Sequence, residues 1–364
     1  MTFPPLREEL RGLEPYGAPQ LDVPVQLNTN GNPYGPSAAC ADDIAAAVRE
    51  AASTINRYPD REHVALRDAR AQYLSHDTPH GGVPEQVWAA NCSNEIMLQL
   101  LQAFGGPGRT ALSFAPTYSM YPEYARDTHT RWVAGRRADD FGLDLEAARD
   151  LVTAERPHVV FLPSPNNPTG TALQPEAIGA LCELVGEQGL VVVDEAYGEF
   201  RRADTPSALA LLPEHRNLVV TRTMSKAFAA AGLRLGYLTA DPAIVDAIRV
   251  VRLPYHLSSI TQAVALAALR HAPELLGRVA DLRAERDATV TWLREQGHRV
   301  ADSDANFVLF GTFADRHAVW EALLAHGVLI RETGPDGWLR VSIGTAEEMA
   351  AFKQALTTVI KEQS

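Results

Sequence analysis

The chain has 364 residues, 46% of them hydrophobic and 21% charged, with a formal net charge of −12 and a pI near 5.4. At roughly 100–200 residues per domain, this length accommodates about two domains, and so acidic a surface argues against nucleic acid or an anionic membrane as partner while leaving room for a local basic pocket. MTFPPLREEL at the start lacks the apolar stretch of a signal peptide, no run approaches the roughly 18 apolar residues of a membrane span, and Cys40, Cys92 and Cys182 are too scattered for a disulfide framework, which suggests a reducing cytoplasm.

Residues 1–35 are rich in Pro, Gly and Asn and read as an extended arm; 41–52 (ADDIAAAVREAA) read as a helix with acidic residues in its first turn. His76 and His80 have metal-like spacing but sit among Pro and Gly with no third ligand in view, so a loop is expected there. VWAA (87–90) is a strand candidate, and a helical stripe starting near Asn94 follows in Ile96, Met97, Leu100, Leu101 and Phe104. GGPG (105–108) comes after a helix rather than between strand and helix, so it reads as a turn and not as a dinucleotide fingerprint. TALSF (110–114), HVVFLP (158–163), LVVVDEAY (190–197) and LVVTRT (218–223) are further short strands, separated by helical stretches such as 175–188. Continuous Val/Leu strands alternating with helices imply an α/β fold whose parallel sheet is covered on both faces.

The character changes after residue 270. A long charged helix or helix pair (272–297) precedes NFVLFG (306–311), a helix near 315–326, VLIRE (328–332) and WLRVSIG (338–344), the pattern of a smaller α+β domain. In the last strand Leu339, Val341 and Ile343 share one face, which turns Arg340 toward either a ligand or solvent. The expected organisation is an arm over 1–40, a large domain over 41–265 and a small carboxyl-terminal domain over 266–364, joined by the arm.

Three segments carry chemistry. SPNNPTG (164–170) at a strand end is good turn chemistry and informative only in company. Asp194 ends a buried strand, where an unpaired carboxylate costs several kcal/mol, at the strand end where open α/β sheets bind ligands. In TRTMSKAFAAAGLRLG (221–236) a strand runs into Thr223, Ser225 and Lys226, with Arg234 between Gly232 and Gly236; two hydroxyls, a lysine and an arginine at a strand-to-helix transition suit a phosphate with an aldehyde beside it.

In order and spacing, these motifs resemble the fold-type I pyridoxal-phosphate (PLP) enzymes of the aspartate-aminotransferase superfamily, over nearly the whole chain. The resemblance implies a large domain with a mostly parallel seven-stranded sheet between helices, PLP as cofactor, and these roles. Lys226 forms the imine with PLP and later carries the proton. Asp194 pairs with the pyridine nitrogen and keeps the ring an electron sink. Tyr197 and Asn167 hydrogen-bond the phenolic oxygen. Ser225, Arg234, the start of the helix at Ser93 and Asn94 and, more weakly, Thr223 bind the phosphate. Tyr118 stacks on the ring, and Tyr58 of NRYPD reaches the phosphate in the neighbouring subunit, which implies a homodimer with shared sites.

YGAPQLDVPVQLNTN, NPYGPS, INRYPD, CSNEIMLQLLQAFGGPG, PTYSMY, SPNNPTGT, RLPYHLSSITQ, DANFVLFG and LRVSIGT narrow the likeness to histidinol-phosphate aminotransferases of the kind found in high-GC Gram-positive bacteria. That family exchanges an amino group between L-histidinol phosphate and 2-oxoglutarate in histidine biosynthesis. By this likeness Tyr16, Asn94, Tyr118 and Tyr255 line the substrate pocket, Arg331 and Arg340 grip the substrate phosphate or a dicarboxylate, and Asn94 supplies an amide that can read an imidazole. One departure stands out: the family's Asn-Glu-Asn-Pro reads Asn30-Gly31-Asn32-Pro33 here, which leaves the amino donor open. An aromatic or other amino-acid transaminase, a PLP-dependent phosphate-ester decarboxylase and a PLP-binding regulator are the alternatives; the regulator is disfavoured by the short arm and the acidic charge.

Overall fold

The computed structural model describes residues 4–75 and 82–363; His76 and His80 lie outside them. The arm contributes a two-residue strand, β1 (Val25–Gln26). Helix α1 (Ala38–Ala52) starts where Ser37 Oγ accepts the Cys40 N–H, three residues before the helix expected from sequence, and α2 (Val64–Ser75) follows.

The main sheet has seven strands: β2 (Val87–Asn91), β3 (Thr110–Ala115), β4 (Arg131–Arg136), β5 (Val159–Pro163), β6 (Leu190–Asp194), β7 (Leu218–Thr223) and β8 (Leu235–Ala240), in the order β2-β8-β7-β6-β5-β3-β4. Only β8 runs antiparallel to its neighbours. Alternation along each strand loads both faces. Leu112, Val160, Val191, Val193 and Val220 join one core; Ala111, Val159, Phe161, Val192 and Val219 join another. The second core is closed by α3 (Cys92–Phe104), α4 (Tyr121–Asp127) and α7 (Pro242–Val251), through Ile96, Leu100, Tyr121 and Ile248. Helices α5 (Leu145–Glu155) and α6 (Pro175–Val185) cover the first, to which they contribute Val152 and Leu181. Each fully buried Val or Leu contributes about 1.5–3 kcal/mol, which is why such short runs suffice as strands.

The segment after β7 departs from expectation. Residues 224–234 are turns and a single 3-10 turn, not a helix, because the chain returns directly to the sheet as β8, with Thr223 opposite Gly236. The helix expected near Asn94 begins at Cys92.

Helix α8 (Ser259–Arg270) packs on α1 and α2, so the boundary drawn at 265/266 falls inside a helix that belongs with the earlier elements. The 272–297 stretch is one helix, α9 (Ala272–Glu295). A second sheet of antiparallel strands follows, from β9 (Arg299–Val300), β10 (Phe307–Gly311), β12 (Arg331–Glu332) and β13 (Leu339–Ser342), in the order β12-β13-β10-β9. Helices α10 (Arg316–Ala325) and α11 (Ala346–Gln363) add Leu323 and Phe352 to its core. VLIRE is not one strand. Its first half is β11 (Val328–Leu329), which pairs with β1 of the arm; its second half is β12. β1 and β11 form a two-stranded sheet of their own, and Ser342 N of β13 donates to Leu27 O at 2.9 Å, so backbone hydrogen bonds stitch the arm to the later elements.

Candidate active site

The carboxyl ends of β5, β6 and β7 meet at one edge of the main sheet, with Pro163 beside Asp194 and Asp194 beside Thr221. Because β8 is antiparallel, its beginning reaches the same edge, with Arg234 just before it. Asn91, at the end of β2, lies opposite Leu235 and leads straight into α3. Segments far apart in sequence thus converge on a cavity of about 280 Å³. Among the described residues it is lined by four cationic side chains, Lys226, Arg234, Arg331 and Arg340, against one carboxylate, Asp194. In a chain of net charge −12 this is a local anion trap.

Asp194 is 6% exposed. One carboxylate oxygen accepts from Tyr121 Oη at 2.9 Å; the other accepts from Ala196 N at 3.2 Å and Thr221 Oγ1 at 3.3 Å. No cationic side chain among the described residues pairs with it, and burial raises its pKa to about 6 despite these hydrogen bonds. A buried carboxylate aimed into a cavity without a countercharge fits a ligand that brings a protonated ring nitrogen.

Lys226 donates to Thr29 O of the arm at 3.0 Å, and its pKa falls to about 8, through burial first and then the Arg340 and Arg234 charges. That favours the neutral, nucleophilic amine. The opposite end of the cavity is built for an anion. Ser225 is held by its own N–H on Thr223 Oγ1 (3.1 Å), and Thr223 Oγ1 lies 2.9 Å from Ser225 Oγ and 3.1 Å from Leu235 O, so Thr223 organises the loop as well as lining the cavity. Arg234 has left-handed backbone (φ 59°). Ser93 and Asn94 stand in the first turn of α3, whose N–H groups and dipole favour negative charge. That turn can approach β8 only because residue 236 is glycine: a Cβ there would lie 2.2 Å from Ser93 N.

Tyr197 Oη accepts from Asn30 Nδ2 at 3.0 Å and from Asn167 Nδ2 at 3.5 Å. Arg340 donates to Asn167 Oδ1 and to Asn28 O, and lies 5.1 Å above the Phe307 ring. The strand register sets Arg340 directly opposite Arg331. Like charges at that spacing destabilise a sheet unless an anion sits between them. Arg340 carries the mark of it: burial, opposed by Tyr197 and aided by the Arg331 charge, brings its pKa down to about 10, and its Nε has no hydrogen-bond partner. Arg331 also donates to Gly17 O at 3.2 Å, which brings Tyr16 to the cavity mouth.

Of the residues singled out from sequence, Tyr16, Ser93, Asn94, Tyr118, Asn167, Asp194, Tyr197, Thr223, Ser225, Lys226, Arg234, Arg331 and Arg340 line this one cavity. Tyr58 and Tyr255 are not among its lining residues in the same chain. They stack on each other at the surface, 4.5 Å apart and 81% and 40% exposed. Sequence reasoning missed Asn28, Asn30, Tyr121 and Thr221; an asparagine in a Pro- and Gly-rich arm or a hydroxyl near a strand end is too common a pattern to single out. At Gly31 a Cβ would meet nothing within 4 Å, and the Asn30 and Gly31 carbonyls are held by Asn306 Nδ2, so the local backbone does not depend on a side chain there.

Residues 23–356 match the family described as aminotransferase class I and II. The chain is 61% identical to a histidinol-phosphate aminotransferase of Thermobifida fusca (strain YX), across 97% of this chain and 95% of that one. It is 60% identical to a histidinol-phosphate aminotransferase of Frankia casuarinae, across 97% and 89%. Among solved structures, the histidinol-phosphate aminotransferase of Sinorhizobium meliloti in complex with pyridoxal-5'-phosphate superposes with a TM-score of 0.88 at 25% identity, covering 100% of this chain and 99% of that one.

Proposed function

Because this chain belongs to the aminotransferase class I and II family, and within it to the histidinol-phosphate aminotransferases, we propose that it transfers an amino group between L-histidinol phosphate and 2-oxoglutarate, with pyridoxal 5'-phosphate as cofactor. The observation that carries the substrate reading is the cross-strand pair Arg331 and Arg340, both lining the cavity, which suits a dianion. A phosphate provides one in one half-reaction and a dicarboxylate in the other. Asn94 offers the amide that an imidazole needs and a plain aromatic ring does not.

The residues divide the work. When bound, the cofactor supplies an aldehyde that takes up the amino group and a ring that accepts an electron pair. Asp194 keeps a proton on the ring nitrogen; Ser225, Arg234 and the N–H groups at the start of α3 hold the phosphate; Tyr118 covers one ring face. Tyr197 and Asn167 serve the phenolic oxygen. Lys226 Nζ takes the proton from the substrate carbon that bears nitrogen and later returns one, a task suited to an amine with a pKa lowered to about 8.

The same reading includes a cytoplasmic homodimer with shared sites, each chain made of an arm, a large cofactor-binding unit and a small unit. Its support is the surface around the stacked Tyr58 and Tyr255, where Ile55, Val250 and Leu253 are 64%, 83% and 71% exposed, an apolar group that water alone would not favour. In that arrangement Tyr58 of the partner subunit reaches the cofactor phosphate, and Tyr255 of the partner subunit joins the substrate pocket.

The test is to titrate the PLP-loaded enzyme with L-histidinol phosphate, L-phenylalanine, L-threonine phosphate and L-glutamate while following its visible absorbance. Histidinol phosphate and glutamate should each convert the chromophore to the amine form, histidinol phosphate at far lower concentration than phenylalanine. No change with histidinol phosphate while another amine reacts would overturn the substrate assignment.

A further inference from the structure

Tyr197 stands where its phenol faces the cavity, yet a buried tyrosine hydroxyl can either give or take a hydrogen bond. Which it does depends on its neighbours. Asn30 Nδ2 lies 3.0 Å from Tyr197 Oη; Asn30 is 2% exposed and Tyr197 6%. The amide of Asn30 could turn either way, but Ser342 decides. Ser342 Oγ accepts the Asn30 backbone N–H at 2.8 Å and donates its own proton to Asn30 Oδ1 at 2.9 Å. With its oxygen engaged there, Asn30 presents its NH2 to Tyr197. The residue is pinned further by its carbonyl, which accepts from Asn306 Nδ2 at 3.1 Å, and its left-handed backbone (φ 53°) is one that asparagine tolerates better than most residues. A second amide donor, Asn167 Nδ2, faces the same phenol oxygen at 3.5 Å. With amide donors on the oxygen, the single phenolic proton is left for whatever occupies the cavity.

We propose that Asn30 is a positioning residue that makes Tyr197 a one-way hydrogen-bond donor toward the cofactor, and that Ser342 of β13 fixes the amide orientation on which this depends. The proposal rests on the PLP reading of the cavity and deepens it. It assigns the arm and the later sheet a part in tuning the cofactor, beyond gripping substrate. The other charged or titratable groups around Tyr197 among the described residues are Arg340, Asp194, Tyr16, Tyr118 and Lys226, the last with Nζ 5.8 Å from the ring centroid.

The test uses the PLP-loaded enzyme and reads the pH midpoint of its visible absorbance. Asn30→Asp keeps an acceptor for Ser342 but puts a carboxylate oxygen where the NH2 was, so Tyr197 donates to residue 30 and no longer to the cofactor. The cofactor's ring oxygen then carries more negative charge and holds the neighbouring nitrogen's proton more tightly, which should raise the midpoint by about one pH unit. The added charge could also act through space, so the substitution is repeated on a Tyr197→Phe background, where there is no phenolic proton to divert. A shift that largely vanishes on the Tyr197→Phe background supports the proposal; an equal shift in both backgrounds overturns it. Ser342→Ala adds no charge and frees the amide to turn; it should give a smaller rise that also disappears once Tyr197→Phe is present, and no rise overturns the role of Ser342. If Asn30→Asp does not fold, Ser342→Ala with and without Tyr197→Phe decides alone. Absence of any visible band in the unsubstituted enzyme after PLP loading would sink the cofactor reading itself, an outcome distinct from failure of the Asn30 role.

Discussion

Replacing Gly236 by alanine tests the construction of the anion end of the cavity without touching a polar group. The added Cβ would lie 2.2 Å from Ser93 N, 2.5 Å from Cys92 C and 2.8 Å from Ser93 Cα, all backbone atoms that no rotamer change can move. Strand β8 cannot yield, because it is hydrogen-bonded to β2 on one side and β7 on the other. The first turn of α3 must therefore retreat by about 1 Å to restore ordinary contact. A hydrogen bond lengthened from about 2.9 Å by that amount is lost. Bonds from backbone N–H to a charged phosphate are worth about 1.5–3 kcal/mol each. Losing one or two, at about 1.4 kcal/mol per factor of ten, predicts PLP binding weaker by roughly 10- to 10⁴-fold. The assay is reconstitution of the apoenzyme with PLP, followed by absorbance, on protein shown to be folded by circular dichroism. Gly277→Ala is the control: its Cβ would meet nothing within 4 Å in the middle of α9, so it should stabilise the fold slightly and leave PLP binding unchanged. A folded Gly236→Ala enzyme that binds PLP within twofold of the unsubstituted one would refute the reasoning.

Other consequences can be checked separately. The folded-state pKa of Asp194, about 6, lies above the 3.8 of an unperturbed aspartate, so the apoenzyme should gain stability as pH falls from about 7 toward 4, by up to about 3 kcal/mol from this group. Melting temperatures against pH should show that gain in the apoenzyme and lose it in Asp194→Asn. Glu195 and Arg222 form a buried pair (2.8 Å) that ties the ends of β6 and β7 together. Arg222→Met should cost about 1.5–3 kcal/mol in chemical denaturation because it removes one of two arginines from a buried carboxylate that keeps Arg201, and adding Glu195→Gln should recover part of the loss. Mixing Lys226→Ala subunits with Tyr58→Ala subunits should restore activity in hybrids if sites are shared; no gain over either parent would count against a shared site.

Much of the layered architecture was legible in the chain itself. Buried Val/Leu runs at 158–163, 190–194 and 218–223 read as strands of a covered sheet because they are short, rich in β-branched residues and separated by helical stretches. Asp194 and Lys226 were legible because a carboxylate and a lysine at the ends of such runs have no structural excuse. Strand β8 was harder: LGYLTA contains a glycine whose purpose, letting α3 approach, exists only once the two are side by side. The partners of α8 were not legible either, since only tertiary structure brings it against α1 and α2.

Hydrophobic periodicity and the local chemistry of strand ends thus determined, by themselves, the order of the layers and most residues that carry charge into the cavity, because both depend on neighbours along the chain. The rest was decided by tertiary structure. The opposition of Arg331 and Arg340 comes from the register of β12 on β13. The support of Asp194 by Tyr121 joins residues 73 positions apart, and the orientation of Asn30 by Ser342 joins residues 312 positions apart. Hydrogen-bond direction and strand register depend on which groups meet in space, and no local pattern encodes those meetings.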